Sequence, residues 1–358
     1  MKAVIMAGGG GTRLWPASRA NKPKQSQHLL GNQTLLQKTY KRVLKSFNKK
    51  DIYLTLGQSH LKDVKKELRG FPQNNYSVEP FLRDTAPAIG LIALILNTLD
   101  PDSSMITLSS DHFIKDEKAF DRTIKAAEAA INKFPDYTGV LGVNPTYPET
   151  GYGYIKIAKQ MVQINKIPIF DVKHFVEKPD LKTAQGYLKR WDYLWNSGNF
   201  IWKTDNLLNL FKKHQPAIYK KFKQLQPHVG KSSWPAQLKK IYSSIKKISI
   251  DYAILEKTKK IFCIPAQFDW TDIGHWRSVK EVLADTHGDN VVRGKYLGIE
   301  TKGSLIYNLS DKLITTAGIE NMIVVNTKDA ILICPKKKAQ DVKKIVQALK
   351  KKGYKKYL

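Results

Sequence analysis

The sequence predicts an α/β protein, in which a mostly parallel, mixed sheet carries helices on both faces and a small β-rich segment follows. Two observations carry this prediction. Through the first half of the chain, short apolar runs alternate with amphipathic stretches of helical period. From about Asn290 the pattern changes to short β-rich segments separated by turn residues, and an amphipathic stretch closes the chain.

Apolar runs of strand length predict the first strands, at residues 3–7, 52–56, 105–109 and 140–143. The stretches between them place apolar residues at helical spacing and predict helices at residues 35–44, 61–68 and 120–131. A further helix should begin at residues 84–87, with Asp84 or Thr85 as its N-cap and Pro87 in its first turn. Because strands and helices alternate, most strands should pair in parallel.

The carboxyl-terminal part of the chain should be a series of short strands closed by a helix. The strand segments are residues 291–292, 296–299, 304–307, 314–315, 322–325 and 330–333. In the closing stretch, Val342, Ile345, Val346 and Leu349 fall on one helical face. The lysines between residues 336 and 356 should therefore form the solvent-facing side of a packed helix.

Composition describes an ordinary globular protein with ample core for one large and one small domain. The chain has 358 residues, of which 42% are hydrophobic and 10% aromatic. Cys263 and Cys334 match no zinc spacing and lie in apolar runs, so we expect buried free thiols in a reducing compartment. The longest apolar run, at residues 86–96, is too short to span a bilayer, and the amino-terminal run is too short for a signal peptide. We therefore expect a cytoplasmic protein with no membrane partner.

The net charge of +29 raises the question of a nucleic-acid partner. The lysines are spread along the whole chain, and no helix-turn-helix, zinc or RNA-binding signature accompanies them. We interpret the charge as a basic solvated surface and expect no nucleic-acid partner.

The glycine run after the first predicted strand is the strongest functional signal. Residues 8–16 read GGGGTRLWP and residues 22–25 read KPKQ. Glycines let the backbone curl with its amide groups turned inward, and such an array beside Arg13 and Lys24 suits a polyphosphate. The run is not a Walker loop, and it is not a dinucleotide fingerprint, because Leu14 stands where the last glycine belongs. The alternative is an ordinary strand-to-helix turn, which needs only one or two glycines.

The glycine run is the first of an ordered set of motifs that spans most of the chain. The others are EP (79–80), TAPAI (85–89), SDH (110–112), GYGYI (151–155), FVEKP (175–179), WNSG (195–198), SIDY (249–252) and WTDIG (270–274). In this order they resemble the motifs of sugar-nucleotide pyrophosphorylases. The LWP variant at residues 14–16 is most similar to mannose-1-phosphate guanylyltransferases.

The resemblance implies two domains. A Rossmann-like nucleotidyltransferase domain should occupy residues 1–288, and a small left-handed β-helix-like domain with a closing helix should occupy residues 289–358. It also implies a single-activity form, because the chain stops short of the isomerase domain that some bacterial relatives append.

The reaction implied by the resemblance joins GTP and mannose 1-phosphate into GDP-mannose and pyrophosphate, with magnesium (Mg²⁺) as cofactor. A homodimer is the expected assembly. The attacking phosphate oxygen is already anionic, so alignment and charge neutralisation suffice and no general base is needed. His112 and His275 are accordingly interpreted as groups that pack beside the motif residues.

The resemblance also implies a set of site residues. Arg13 and Lys24 should act on the GTP phosphates and are the catalytic candidates. The nucleotide-binding candidates are Gly8, Gly9, Gly11, Thr12, Arg13, Lys24, Glu79, Thr85 and Ala86. The candidates for the sugar and its phosphate are Gly153, Glu177, Lys178, Asn196 and Asn199. Asp111 and Asp272 are the candidate magnesium ligands. The alternative roles are a turn residue for Asp111 and an N-cap of the helix that begins near His275 for Asp272, and a cap carboxylate would still have a second oxygen free for a metal.

Two residues depart from the family pattern. Asp84 stands where relatives usually have asparagine, and Asn199 stands at a position that is usually apolar. Alternatives to the leading function are a different sugar phosphate or base, a catalytically silent regulatory subunit, and a nucleic-acid binder suggested by charge alone.

Overall fold

The computed structural model describes residues 1–286 and 288–358, which form two compact units. The first unit comprises Met1–Gly8, Tyr40–Ser109 and Ile114–Trp270. The second comprises Gly9–Thr39, Ser110–Phe113 and Thr271–Leu358. Each unit therefore gathers segments that are far apart in the sequence. The boundary predicted between residues 288 and 289 stays a prediction.

The described residues contain the strands and helices that the sequence analysis predicts, together with several that it does not. The strands are β1 (Lys2–Met6), β2 (Ile52–Gly57), β3 (Tyr76–Glu79), β4 (Ser104–Ser109), β5 (His112–Ile114), β6 (Thr138–Val143), β7 (Tyr154–Ile164), β8 (Ile167–Val176), β9 (Tyr193–Lys203), β10 (Ile261–Pro265), β11 (Trp270–Asp272), β12 (Val291–Arg293), β13 (Tyr296–Ile299), β14 (Leu305–Asn308), β15 (Ile314–Ala317), β16 (Met322–Asn326) and β17 (Ile331–Pro335). The α-helices are α1 (Leu35–Val43), α2 (Leu61–Glu67), α3 (Thr85–Leu99), α4 (Glu117–Lys133), α5 (Leu181–Leu188), α6 (Thr204–His214), α7 (Pro216–Leu225), α8 (Trp234–Tyr242), α9 (Ile250–Ala253), α10 (Trp276–Leu283) and α11 (Val342–Lys351).

The first unit is built on a nine-stranded sheet in the order β3-β2-β1-β4-β9-β6-β10-β8-β7. The strands β3, β2, β1 and β4 are parallel, as predicted, and so are β6 and β10. The central strand β9 runs antiparallel to both β4 and β6, and β7 and β8 form an antiparallel pair at the sheet edge. The sheet is therefore mixed, and the glycine run, EP and SDH lie at the carboxyl ends of its parallel strands β1, β3 and β4.

Helix α3 shows how the core of the first unit is formed. Its sequence is apolar on almost every side, and residues 86–94 are all buried. Asp84 is its N-cap and accepts a hydrogen bond from the backbone N–H of Thr85 at 2.8 Å, which confirms the predicted start. The helix packs in one apolar cluster with residues from β4, β9 and helices α6 to α8.

The second unit contains the β-helix-like segment. Strands β12, β14 and β16 pair in parallel, β17 closes their sheet in the antiparallel direction, and β13 pairs in parallel with β15. Side chains of this segment share one apolar cluster with Leu14, Trp15, Leu29 and Leu30. Helix α11 follows, with Val342 buried and Val346 and Leu349 packed on that cluster, as predicted. Ile345, which was predicted on the same packed face, is exposed, so the prediction is wrong for this residue.

Two smaller expectations have mixed outcomes. Cys263 is buried and Cys334 is half-buried, and both are free thiols, so the expectation of burial is wrong for Cys334. Among residues 1–286 and 288–358, no helix has the length and apolar character needed to cross a membrane.

Candidate functional site

The glycine run bends the chain at the start of the second unit. Gly11 adopts φ 59°, a left-handed conformation that favours glycine, and it caps the short 3₁₀ helix Thr12–Leu14. A Cβ atom at Gly11 would lie 2.6 Å from Cβ of Lys24 and 2.7 Å from Oγ of Ser18. Glycine is therefore required here both for its conformation and for its size.

The backbone of this loop presents unused donors. The N–H groups of Gly9, Gly10, Gly11 and Thr12 donate no hydrogen bond to any other described residue. Gly9, Gly10 and Thr12 are exposed. Successive unpaired N–H groups in a tight turn form a concave site for an anion. An ordinary strand-to-helix turn would not need this arrangement.

Two cations of the second unit belong to this loop segment. The Lys24 ammonium forms an ion pair with the Asp111 carboxylate, and both side chains are largely buried. The Arg13 guanidinium donates from Nη1 to Oε1 of Gln340 at 2.8 Å. Sequence reasoning missed Gln340, because the lysine-rich segment around it carries no motif.

Asp111, His112 and Asp272 form one cluster in the second unit. One ligand atom from each lies within 4.8 Å of those of the other two. The backbone N–H of Ile273 donates to the carbonyl oxygen of Asp111 at 3.0 Å and so holds the two segments together. Burial alone would raise the pKa of Asp272, but the charges of Lys24, His112 and Arg13 hold that pKa below its usual range.

This donor set fits a divalent cation. The carboxylates of Asp111 and Asp272 lie close together, and in this structure the Lys24 ammonium pairs with one of them. A metal ion can replace the ammonium as the cation that these carboxylates bind. His112 was expected to pack beside the motif, and one of its ring nitrogens lies in this cluster with the two carboxylates. The motif SDH contained the signal, but a neighbouring histidine is more often a packing group.

Asp272 does not cap helix α10, so that alternative is wrong. The N-cap is His275, whose Nδ1 accepts a hydrogen bond from the backbone N–H of Ser278 at 3.1 Å. The Ser278 hydroxyl completes the capping box against the backbone of His275. Burial lowers the pKa of His275 to about 4, which is consistent with a neutral ring accepting at Nδ1.

The candidate sugar residues lie in the first unit. The Glu177 side chain is only 6% exposed and pairs with Lys178 through Oε1. Its Oε2 is buried and has no hydrogen-bond partner among the described residues. A Cβ atom at Gly153 would collide with that oxygen, so Gly153 leaves the carboxylate its space. An unsatisfied buried carboxylate oxygen is the feature expected where a ligand hydroxyl donates.

Asp251 joins this group without having been assigned a role from the sequence. Asn196 donates from Nδ2 to Oδ1 of Asp251 at 3.2 Å, and the Asn196 Oδ1 accepts from the backbone N–H of Gly198 at 2.9 Å. Burial, reinforced by the charge of Glu177 and opposed by Lys178, raises the pKa of Asp251 to about 7. The motif SIDY had pointed to this residue but not to its function.

Asn199 has a different environment from Asn196. It is 1% exposed, and its Oδ1 accepts a hydrogen bond from the backbone N–H of Ser109 at 3.3 Å. Its amide therefore bridges strands β9 and β4 inside the first unit. The carbonyl oxygen of the polar side chain at this usually apolar position is thus paired with the backbone.

The candidate base residues also lie in the first unit, at the end of β3 and the start of α3. Glu79 is buried, and a Cβ atom at Gly8 would lie 3.8 Å from its Oε1. The Thr85 hydroxyl accepts from the backbone N–H of Ile250 at 2.8 Å, and the Ala86 N–H donates to the carbonyl of Ile248 at 3.1 Å.

Asp84 precedes these residues with φ 71°. Asparagine and aspartate are the residues that adopt positive φ most readily after glycine. Aspartate at position 84 can therefore adopt the same backbone conformation as the asparagine usual in relatives.

Comparison with known proteins assigns the chain to a family. The family model described as nucleotidyl transferase matches residues 2–288, and the model described as the mannose-P isomerase/GMP-like β-helix domain matches residues 294–349. The chain belongs to the nucleotidyl transferase family. It is therefore an enzyme of the nucleotidyltransferase class, and this family generally uses a divalent metal.

Relatives of this nucleotidyl transferase cover nearly its whole length. A mannose-1-phosphate guanylyltransferase of Escherichia coli (strain K12) is 36% identical over 357 residues, which is 98% of this chain and 73% of the relative. A xanthan biosynthesis protein of Xanthomonas campestris is 35% identical over 353 residues, 98% of this chain and 73% of the relative. A crystal structure described as a mannose-1-phosphate geranyltransferase from Thermus thermophilus has a TM-score of 0.85 at 29% identity, covering 98% of this chain and 99% of that one.

Proposed function

We propose that this nucleotidyl transferase is a magnesium-dependent mannose-1-phosphate guanylyltransferase, which converts GTP and mannose 1-phosphate into GDP-mannose and pyrophosphate. The names and coverage of its relatives support this assignment. The observation that carries it is the cluster in the second unit, where Asp111 and Asp272 lie with Lys24 beside a loop whose N–H groups have no partner among the described residues. Such a set suits a triphosphate and its metal ion.

In this proposal the glycine loop and its cations hold the triphosphate. The N–H groups of Gly9, Gly11 and Thr12 donate to phosphate oxygens, and Arg13 and Lys24 neutralise their charge. Asp111 and Asp272 hold the metal ion, with His112 beside them. Bound magnesium would supply charge neutralisation for the triphosphate and the departing pyrophosphate.

The chemistry is a direct displacement. An oxygen of the mannose 1-phosphate phosphoryl group forms a bond to the α-phosphorus of GTP. The bond from the α-phosphorus to the oxygen that bridges it to the β-phosphorus breaks, and that oxygen leaves with pyrophosphate. The nucleophile is anionic before it attacks, so the protein has to align two anions rather than remove a proton.

The residues of the first unit take the sugar and the base. Glu177 offers its unpaired buried oxygen to a sugar hydroxyl, Gly153 leaves room for it, and Lys178 meets the sugar phosphate. Asn196 is a second polar contact, and Asn199 supports the strand from within. Gly8, Glu79, Thr85 and Ala86 line the position of the guanine and its ribose.

Two alternatives remain distinct from this proposal. A different sugar phosphate or base would use the same framework with other hydrogen bonds. A silent regulatory subunit would not need metal-binding carboxylates, yet Arg13, Lys24, Asp111, Lys178 and Asp272 are all present.

We also propose that the protein forms a homodimer through the β-helix-like segment. Strand β13 exposes Leu297 and Ile299 at 61% and 66%, and strand β17 exposes Ile331 and Ile333 at 58% and 63%. Apolar side chains repeated along strands in this way are typical of contact surfaces. Sedimentation velocity tests the assembly, and a monomer at micromolar concentration would contradict it.

Pyrophosphate release over a matrix of nucleoside triphosphates and sugar 1-phosphates tests the function. We expect the highest kcat/KM for GTP with mannose 1-phosphate and no activity after chelation, restored by magnesium. A preference for UTP or dTTP would indicate another base. No release with any pair, from a folded protein, would favour the silent subunit.

A further inference from the structure

Helix α8 places a phenol against the candidate base residue Glu79. Tyr242 is fully buried, and its hydroxyl donates to Oε2 of Glu79 at 2.6 Å. Glu79 itself is 3% exposed at the end of strand β3. The two residues are 163 positions apart, so the pair is created by the fold and no motif predicts it.

One oxygen of the carboxylate, Oε2, accepts from Tyr242, and the other, Oε1, lies toward Gly8. Besides Tyr242, the backbone N–H of Arg83 donates to Glu79. The oxygen Oε1 lies on the side of Gly8, where an added Cβ atom would come within 3.8 Å of it. Gly8 has no side chain to fill this space. Glu79 thus has a fixed orientation, with one acceptor edge turned toward the residue at which the glycine run begins.

We propose that Tyr242 is a positioning residue for base choice, which holds the Glu79 carboxylate so that it accepts from the N1–H and 2-amino donors of guanine. This inference rests on the proposed function. A carboxylate in a fixed orientation can bind guanine because the N1–H and the 2-amino group lie side by side on one edge of the base and both donate hydrogen bonds. Adenine presents an acceptor at N1 and would leave the buried carboxylate unpaired, which is costly.

The protonation of Glu79 gives the proposal a second readout. Burial raises the pKa of Glu79 to about 7, while the hydrogen bonds from Tyr242 and the backbone of Arg83 oppose the rise and the charge of Asp84 adds to it. Guanine needs the ionised form, which has acceptors only. Loss of the Tyr242 hydroxyl removes a group that stabilises the ionised form, so GTP binding should become sensitive to acid at a higher pH.

The test compares Tyr242→Phe with the full-length wild type. We measure kcat and KM for GTP, ITP and ATP from pH 6 to pH 9, and the melting temperature. ITP lacks the 2-amino donor and so reports on that single contact. We expect the KM for GTP to rise roughly tenfold or more, as for a lost hydrogen bond to a charged group, with kcat nearly unchanged. The preference for GTP over ITP should shrink, and the rise of KM in acid should move to higher pH.

Tyr154→Phe is the matched control, because it also removes a buried phenol hydroxyl, one that donates to the carbonyl of Glu149 at 3.0 Å. It should leave the ratio of GTP to ITP unchanged. Glu79→Gln gives an independent arm if Tyr242→Phe does not fold, and it should abolish the preference for GTP over ITP.

A folded Tyr242→Phe variant with the wild-type ratio and the wild-type pH profile would overturn the proposal, as would Glu79→Gln with an unchanged ratio. The proposed function is judged separately: it fails if the wild-type enzyme does not prefer GTP to ATP.

Discussion

Replacement of Lys24 by methionine tests the proposed phosphate site most directly. Methionine is one atom shorter than lysine and has no charge, but it keeps the Cβ and Cγ atoms that lie nearest Gly11, so packing there is largely retained. Lys24 is the ion-pair partner of Asp111, and their side chains are 17% and 11% exposed. The ammonium is therefore partly shielded from water, and a charge so placed acts strongly on a transferring phosphoryl group.

The expected loss of rate follows from this placement. Unit charges about 4 Å apart interact by about 4 kcal/mol at an effective dielectric constant near 20. Removal of one fixed group that stabilises developing charge commonly costs ~10²–10³ in rate, or about 3–4 kcal/mol. We therefore expect kcat/KM for GTP to fall by ~10²–10³ in Lys24→Met. Lys22→Met is the matched control, because Lys22 is exposed in the same segment, and it should stay near the wild-type rate.

Metal binding by Lys24→Met distinguishes a local loss of charge from a general loss of folded structure. Without nucleotide, the Lys24 ammonium competes with a metal cation for Asp111. Lys24→Met should therefore bind Mn²⁺ more tightly than the wild type in an electron paramagnetic resonance titration, although it turns over more slowly. Near-normal turnover together with unchanged Mn²⁺ affinity would reduce Lys24 to an ordinary surface charge and refute the reasoning.

Three further predictions concern the carboxylates and the carboxyl terminus. Asp111→Asn and Asp272→Asn should each be severely impaired yet folded, and the double variant should be little worse, because groups serving one ion act together; additive losses in initial rate would contradict this. Burial raises the pKa of Asp251 to about 7, so its ionised form, which only accepts hydrogen bonds, is lost as the pH falls through that value. KM for mannose 1-phosphate should therefore rise in acid. If the Asp251→Asn variant shows the same rise, Asp251 is excluded as its cause. Removal of the chain from Asn290 should change both sedimentation and the melting temperature; unchanged values would refute a packing role.

The strands and helices that the sequence predicts well are those whose apolar residues follow a single clear pattern. The first parallel strands and helices α1, α2 and α4 appear within a few residues of their predicted ends. The β-rich segment after Asn290 is also present as predicted, because turn residues separate its strands clearly. Strand β9 is different, since Asn196, Ser197 and Gly198 interrupt its apolar pattern like a loop. Its antiparallel place between β4 and β6 depends on pairing across the sheet, which no local pattern encodes.

The candidate site was predictable to the extent that motifs name its residues. Asp111 and Asp272 lie far apart in the sequence, and the order of motifs was the reason to expect them together. Their cluster with His112, by contrast, depends on tertiary geometry. Tyr242 and Gln340 could not be found this way, because each lies in a segment with ordinary helical or lysine-rich composition. Their hydrogen bonds, to Glu79 and to Arg13, are visible only in the folded structure.

Residues on both sides of the β-helix-like segment hold the loop segment of the second unit that carries Arg13. The indole of Trp276 donates to the backbone oxygen of Trp15 at 2.9 Å, and the indole of Trp15 donates to the backbone oxygen of Tyr357 at 2.8 Å. Arg13, two residues before Trp15, is fixed by Gln340. Residues after position 271 therefore anchor the segment that carries Arg13 and Lys24. In the proposed function, a change in the closing helix region should thus weaken phosphate binding without altering Arg13 or Lys24.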